Sequence, residues 1–163
     1  MVVVSDTHVP RFQRGFSAVL DRLRREAPDA IVHCGDFTTI DIVPAFEEIA
    51  PFDAVAGNND GPDIVERFGR AKAITASGRR LGLVHGDGEA RAATRERAEA
   101  SFAGTPLDAI CFGHSHVPLC ELRGDGTYVI NPGSPLDKRR QPHFSYAVID
   151  IDDDGVRPRL VYF

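Results

Sequence analysis

Val2-Val3-Val4-Ser5-Asp6-Thr7-His8 is a short apolar run that stops at a carboxylate and an imidazole. Three consecutive valines read as a strand buried on both faces, and the polar residues behind them as the loop leaving its end. The pattern returns downstream. Ala30-Ile31-Val32 runs into His33-Cys34-Gly35-Asp36, and Phe52 to Ala56 runs into Gly57-Asn58-Asn59-Asp60-Gly61-Pro62, a segment with strong turn chemistry. Between these strands, Phe16, Val19, Leu20 and Leu23 recur at helical spacing and predict a helix from Gln13 to Glu26, broken by Pro28-Asp29. Ile42, Val43, Phe46 and Ile49 trace a second helix with Asp41 near its start. Strands alternating with helices imply parallel strands joined by helical crossovers.

The rest of the chain changes character. Ala71–Ala76 and Arg80–Val84 flank Ser77-Gly78 as a hairpin and lead into His85-Gly86-Asp87-Gly88. Glu89 to Phe102 is helical by composition, with an alanine-rich apolar face. Ile110–Phe112 is another buried strand, ending at Gly113-His114-Ser115-His116. Leu119–Arg123 and Thr127–Ile130 form a hairpin around Gly124-Asp125-Gly126, followed by Asn131-Pro132-Gly133-Ser134. Phe144–Ile151 and Pro158–Phe163 form a last hairpin around Asp152-Asp153-Asp154-Gly155. The expectation is one α/β domain over residues 1–163, with two packed sheets and helices outside. No repeat, low-complexity tract or linker interrupts it.

Composition narrows the function classes. A chain of 163 residues with 42% hydrophobic content has enough material for one real core. Its net charge of -5 and the lack of a basic stripe with aromatics speak against stable nucleic-acid binding. Three scattered cysteines, Cys34, Cys111 and Cys120, do not make a disulfide framework, so a reducing, cytoplasmic setting is the expectation. With the first strand beginning almost at Met1 and no charged segment before an apolar stretch, no signal peptide is expected, and no apolar run reaches membrane-spanning length. Val161, Tyr162 and Phe163 are candidates for an edge or a homo-oligomer interface.

The same event happens at five strand ends. Asp6 and His8 follow the first strand, Asp36 the second, Asn58 the third, His85 the strand at Arg80–Val84, and His114 and His116 the strand at Ile110–Phe112. Parallel strands bring such groups to one sheet edge, where α/β ligand sites gather. Three carboxylate or carboxamide side chains and four imidazoles form a hard-to-borderline O/N donor set that suits Mn, Fe, Zn, Ni or Co. Seven donors are too many for one structural zinc and suit two ions sharing a carboxylate, about 3.5–4 Å apart. The glycines before Asp36, Asn58 and His114 let the backbone turn there without a side chain in the way. A lone histidine is more often a satisfied core or surface residue, and His33 and His143 keep that reading.

The ordered motifs Asp6-Thr7-His8, Gly35-Asp36, Gly57-Asn58-Asn59-Asp60, His85-Gly86 and Gly113-His114-Ser115-His116 resemble the signature of the calcineurin-like metallophosphoesterases. Within that superfamily the chain looks like the small single-domain phosphodiesterases of bacteria and archaea, a likeness the Asn131-Pro132-Gly133-Ser134 turn shares. The resemblance implies a four-layer α-β-β-α sandwich of two mixed sheets flanked by helices. It implies one metal on Asp6, His8, Asp36 and His116 and another on Asp36, Asn58, His85 and His114, with Asp36 as the bridge. The ions would be manganese first, with Ni, Fe, Zn, Mg and Co as the other choices.

The expected reaction is hydrolysis of a phosphoester, preferentially a diester, by a hydroxide held between two ions. The partner would be a phosphoester small molecule. The alternatives are a phosphomonoesterase of the protein-phosphatase kind and a non-catalytic interaction scaffold on the same fold. Two departures from the family pattern matter. Asn59 stands where superfamily members often carry histidine or cysteine; it can donate to a phosphoryl oxygen but is no acid near neutral pH. Asp87 stands where relatives commonly have a second histidine. Asp60 reads as a residue orienting Asn59 or a ligand, or equally as an Asx-turn cap before Gly61-Pro62. Lys138, Arg139 and Arg140 follow the Asn131–Ser134 turn, close enough in sequence to approach the site, or else form a solvated loop.

Overall fold

A computed structural model describes residues 1–9, 11–88 and 93–163. Its first sheet has the order β10-β9-β1-β2-β3, with β1 Val2–Val4, β2 Ile31–His33, β3 Phe52–Ala54, β9 Ser145–Asp152 and β10 Gly155–Tyr162. The second has the order β4-β5-β6-β8-β7, with β4 Ala71–Ala76, β5 Arg79–Val84, β6 Ala109–Cys111, β7 Leu119–Leu122 and β8 Tyr128–Asn131. β1, β2 and β3 are mutually parallel, as are β5, β6 and β8, while β9, β10, β4 and β7 pair antiparallel. Both sheets are therefore mixed.

Side-chain alternation builds the layers. Val3 and Val32 point inward and meet Leu81, Leu83, Cys111 and Ile130 from the facing sheet. Val2, Val4 and Ile31 point outward onto α1 (Gln13–Arg25) and α2 (Val43–Glu47) through Leu20, Leu23 and Phe46. On the far side Val84, Ile110 and Val129 carry Ala98 of α4 (Thr94–Ala100). A sheet covered on both faces needs apolar residues at every strand position, so the valine run at 2–4 is buried throughout. The result is the expected four-layer sandwich. Among the described residues no helix is long and apolar enough to cross a membrane.

Several boundaries differ from the sequence expectation. β3 stops at Ala54 because the chain leaves the ladder: the Val55 N–H still reaches the His33 carbonyl, but the Ala56 N–H turns to Gly69. The second crossover is a 3-10 turn, Ile40–Ile42, running into the short α2. Of the helix expected over Glu89–Phe102, Thr94–Ala100 is helical, and residues 89–92 lie outside the described residues. α3, Pro62–Phe68, occupies a stretch to which the sequence reading assigns no element. Pro62 opens it without sacrificing an intrahelical N–H, Ile64 and Phe68 bury one face four residues apart, and Gly69 ends it at positive φ.

Parallel register decides where the loops go. Val4 pairs with His33 and His33 with Ala54, so three chain segments leave the first sheet at one edge, carrying residues 5–8, 34–36 and 57–60. Leu83 pairs with Cys111 and Cys111 with Ile130, so residues 85–86, 113–116 and 131–134 leave the second sheet together.

Candidate metal centre

The two loop sets meet across the gap between the sheets. The His114 backbone N–H donates to Asp6 Oδ2 at 3.0 Å, and Ser134 Oγ donates to the Asp6 carbonyl at 2.8 Å. His85 Nδ1 donates to the Cys34 carbonyl at 2.7 Å, which turns its Nε2 toward Asp36 Oδ2, 3.2 Å away. His116 Nδ1 donates to the Asp137 carbonyl at 2.5 Å, which aims its Nε2 at Asp6 Oδ1, 3.2 Å away, and at His8 Nε2, 3.3 Å away. His8 Nε2 lies 3.9 Å from both Asp6 Oδ1 and Asp36 Oδ2. Asn58 Oδ1 faces His114 Nδ1 at 3.0 Å. A carbonyl only accepts, so the Nδ1–H of His85 and His116 is fixed and Nε2 is the ring nitrogen placed to ligate.

Three glycines make this crowding possible, chiefly by close approach. A Cβ on Gly57 would sit 2.2 Å from Asp36 Oδ1, and one on Gly113 would sit 1.9 Å from Ser5 Oγ. Only Gly35 of the three also takes positive φ, at 94°. The donors themselves adopt the left-handed region: Asp6, His8, Asp36, His114 and His116 have φ between 48° and 65°. They are five of the nine described non-glycine residues with positive φ, a conformation that costs about 1–2 kcal/mol per residue. The neighbouring bonds hold them there, including Asp6 N–H to Gly35 O and His8 N–H to Asp36 O, both at 3.0 Å.

The donor set fits a pair of divalent cations. Asp6, His8 and His116 present three ligand atoms within 4.8 Å of one another, as do Asp6, Asp36 and His85. Asp6 belongs to both groups, and Asp36 Oδ2 also faces both sides through His8 and His85. Asn58 and His114 pair at the more open margin. Asp6 Oδ1 and His85 Nε2 are fully buried and lack a hydrogen bond; their imidazole and carboxylate neighbours lie close but out of line. Leaving two such atoms unpaired is costly unless a cation lies between them.

Electrostatics carry the same mark. Burial alone would raise the carboxyl groups of Asp6 and Asp36; nearby imidazoles, and for Asp36 the Asn59 amides, pull both below the usual range. Burial alone would depress His85, but the contact with Asp36 and the charges of Asp6 and Asp36 lift it to about 9. His116 is raised in the same way, against its burial, by Asp6. His8 and His114 are lowered, chiefly by burial.

Asn59 donates to Asp36 twice, and Asp60 accepts from three backbone amides rather than from Asn59. Asp87 bears electrostatically on His114. Lys138 donates to the carbonyls of Gln141 and Pro142, and Arg139 lies 3.8 Å from Asp137. His33 is a satisfied core residue: its Nδ1 accepts from the Gly35 N–H at 3.1 Å, so its Nε2 donates to Thr7 Oγ1, also at 3.1 Å. His143 lies beside Tyr162. The carbonyls of Cys34 and Asp137 that aim the candidate ligands His85 and His116 carry no sequence signal, because any residue has a carbonyl.

Comparison with known proteins agrees with this geometry. Residues 1–154 match the calcineurin-like phosphoesterase superfamily domain. A probable metallophosphoesterase of Methanothermobacter thermautotrophicus is 35% identical over 162 residues, covering 98% of this chain and 90% of that protein. A phosphodiesterase of Methanocaldococcus jannaschii is 25% identical over 148 residues, covering 80% of this chain and 81% of that protein. The zinc complex of Vps29 from Entamoeba histolytica superposes with a TM-score of 0.74 at 20% identity, over 99% of this chain and 97% of the other, a likeness of fold. The match across residues 1–154 and the two ligand clusters at the strand ends lead to one conclusion: the chain belongs to the calcineurin-like phosphoesterase superfamily.

Proposed function

We propose that this protein hydrolyses phosphodiesters, using two divalent cations held by Asp6, His8, Asp36, Asn58, His85, His114 and His116. The observation that carries the reading is the pair of buried, unpartnered ligand atoms, Asp6 Oδ1 and His85 Nε2, within a converging donor set. Ions bound there would offset charge on the phosphoryl oxygens and bring the pKa of a water nucleophile near neutrality. Asp36 is the shared ligand in this reading, since its Oδ2 faces donors on both sides. Asp6 and Asp36 remain anionic, while Cys34 and Asp137 fix the His85 and His116 rings through their carbonyls. Asn59 is engaged with Asp36, so this chain places no acid at that position to protonate the leaving oxygen.

The preference for a diester is supported by the relative named a phosphodiesterase. Manganese is the first choice of metal, residues 1–163 act as one catalytic domain, and the buried free thiols Cys34 and Cys111 suit a reducing cytoplasm. The test reconstitutes metal-stripped protein separately with Mn, Ni, Zn, Fe and Mg. Each form is assayed on bis(p-nitrophenyl) phosphate, p-nitrophenyl phosphate, cyclic nucleotides and phosphopeptides. The expected result is metal-dependent diester cleavage that Asp36→Ala abolishes together with bound metal. Cleavage of monoesters alone, or full turnover by Asp36→Ala, would overturn the reading.

A further inference from the structure

A cleft of about 670 Å³ runs along α1, from Arg11 before its start to Arg22 in its last turn, and is closed by Pro135, Leu136, Phe144 and Phe163, within the size range of small-molecule sites. Two of its lining residues are close in sequence to candidate metal ligands or their partners. Arg11 follows His8 by three positions, and Leu136 precedes Asp137, whose carbonyl holds His116 Nδ1. Arg11, Arg14 and Arg22 line the cleft, and no aspartate or glutamate does. None of the three forms an ion pair among the described residues, although most other arginines on this acidic chain do. Three phenylalanines, Phe12, Phe144 and Phe163, join Val19, Pro135 and Leu136 in the apolar part of the lining. Arg11 sits over the Phe12 ring at 5.3 Å and Arg22 over Phe163 at 4.2 Å, placing guanidiniums against two of these rings.

Unpaired guanidiniums on an aromatic floor are complementary to an anion attached to a flat, weakly polar body. Arginine grips phosphate by two parallel hydrogen bonds, and a planar base stacks on both phenyl rings and guanidinium planes. We propose that this cleft is the subsite for the non-reacting arm of the diester substrate, and that the arm is a nucleotide. Its terminal phosphate would lie on Arg14 and Arg22 and its base against the phenylalanines. The proposal rests on the phosphodiesterase reading and names the substrate class of that site.

The test has two arms. Metal-stripped protein is titrated with anthraniloyl-labelled adenosine monophosphate, followed by fluorescence, with unlabelled adenosine monophosphate, adenosine and octyl phosphate as competitors. Adenosine monophosphate should displace the probe, and adenosine should do so poorly. Arg14→Gln and Arg22→Gln should each weaken binding about tenfold. Arg24→Gln, whose guanidinium pairs with Asp21 outside the cleft, should leave binding unchanged. Equal loss in Arg24→Gln, no loss in either cleft variant, or stronger displacement by octyl phosphate than by adenosine monophosphate would overturn the nucleotide assignment.

In the second arm, manganese-loaded protein is assayed on a dinucleotide bearing a terminal phosphate and on bis(p-nitrophenyl) phosphate. The expected result is a preference in kcat/KM for the dinucleotide that Arg14→Gln reduces by about tenfold. Cleavage of both esters without that preference removes the subsite and leaves the phosphodiesterase reading intact. Cleavage of neither ester with any of the metals removes the phosphodiesterase reading, and with it the cleft's role in substrate binding.

Discussion

Asn59 donates to both oxygens of Asp36: its backbone N–H reaches Oδ1 at 2.8 Å and its side-chain Nδ2 reaches Oδ2 at 2.6 Å. Bonds to an ionised acceptor are strong ones, and two of them fix the plane of the carboxylate. This makes Asn59 an orienting residue for the ligand that both ions would share.

Asn59→Ala keeps the backbone bond and loses the side-chain one. Metal affinity should fall about 10- to 100-fold, measured by calorimetric titration, while turnover recovers at saturating metal. Turnover that stays low at saturating metal would instead place Asn59 on the substrate.

The metal-free centre gives a pH signature. His85, lifted to about 9, contributes stability that is complete below its unfolded value near 6.5 and is lost as pH rises through about 9. His116 is shifted in the same direction. Asp6 and Asp36, both lowered, contribute stability present above their unfolded values near 4 and lost as pH falls through their folded ones. The melting temperature of stripped protein should therefore fall between pH 6.5 and 9.5. Metal binding must expel the His85 proton, so affinity should rise over the same interval, with proton release visible in buffers of different ionisation enthalpy.

Gly57→Ala places a methyl group 2.2 Å from Asp36 Oδ1 and 2.7 Å from the Asp36 backbone nitrogen, where nothing can yield cheaply. A loss of about 1–3 kcal/mol in stability is expected, accompanied by loss of bound metal. Gly124→Ala meets open space and serves as the comparison; its urea midpoint should be near that of the parent.

Asp60 accepts from the backbone amides of Asp36 and Gly57 at 2.7 Å and of Thr38 at 2.6 Å. It ties the second-strand loop to the third-strand loop through main-chain atoms. Asp60→Ala would leave three amides without their acceptor, costing about 3 kcal/mol or more in chemical denaturation. Asp60→Asn, which keeps one acceptor oxygen, should retain part of that stability. Equal stability of Asp60→Ala and the parent would show that these bonds are replaceable by water.

The candidate centre was legible in the sequence because parallel strands buried on both faces are continuous apolar runs, and each run ends at a candidate ligand. Val2–Val4 before Asp6 and Ile110–Phe112 before His114 are such pairs. α3 was not legible because its apolar face is only Ile64 and Phe68, too few positions to declare a period. The partners of Asn59 and Asp60 were also hidden. Four of these five bonds join loops more than twenty residues apart, and four of the seven groups involved are main chain. The cleft beside α1 was invisible for a related reason: Arg14 and Arg22 are ordinary helix residues until Phe144 and Phe163 arrive from the other end of the chain.

Asp6, His8, Asp36 and Asn58 hang from one sheet, whereas His85, His114 and His116 hang from the other. Cations gripped by both sets would rivet the sandwich along one seam. Shear between the sheets would then change the spacing of the ions, so a substitution deep in the shared interior, at Leu83 or Ile130 for instance, would retune the chemistry without touching a ligand.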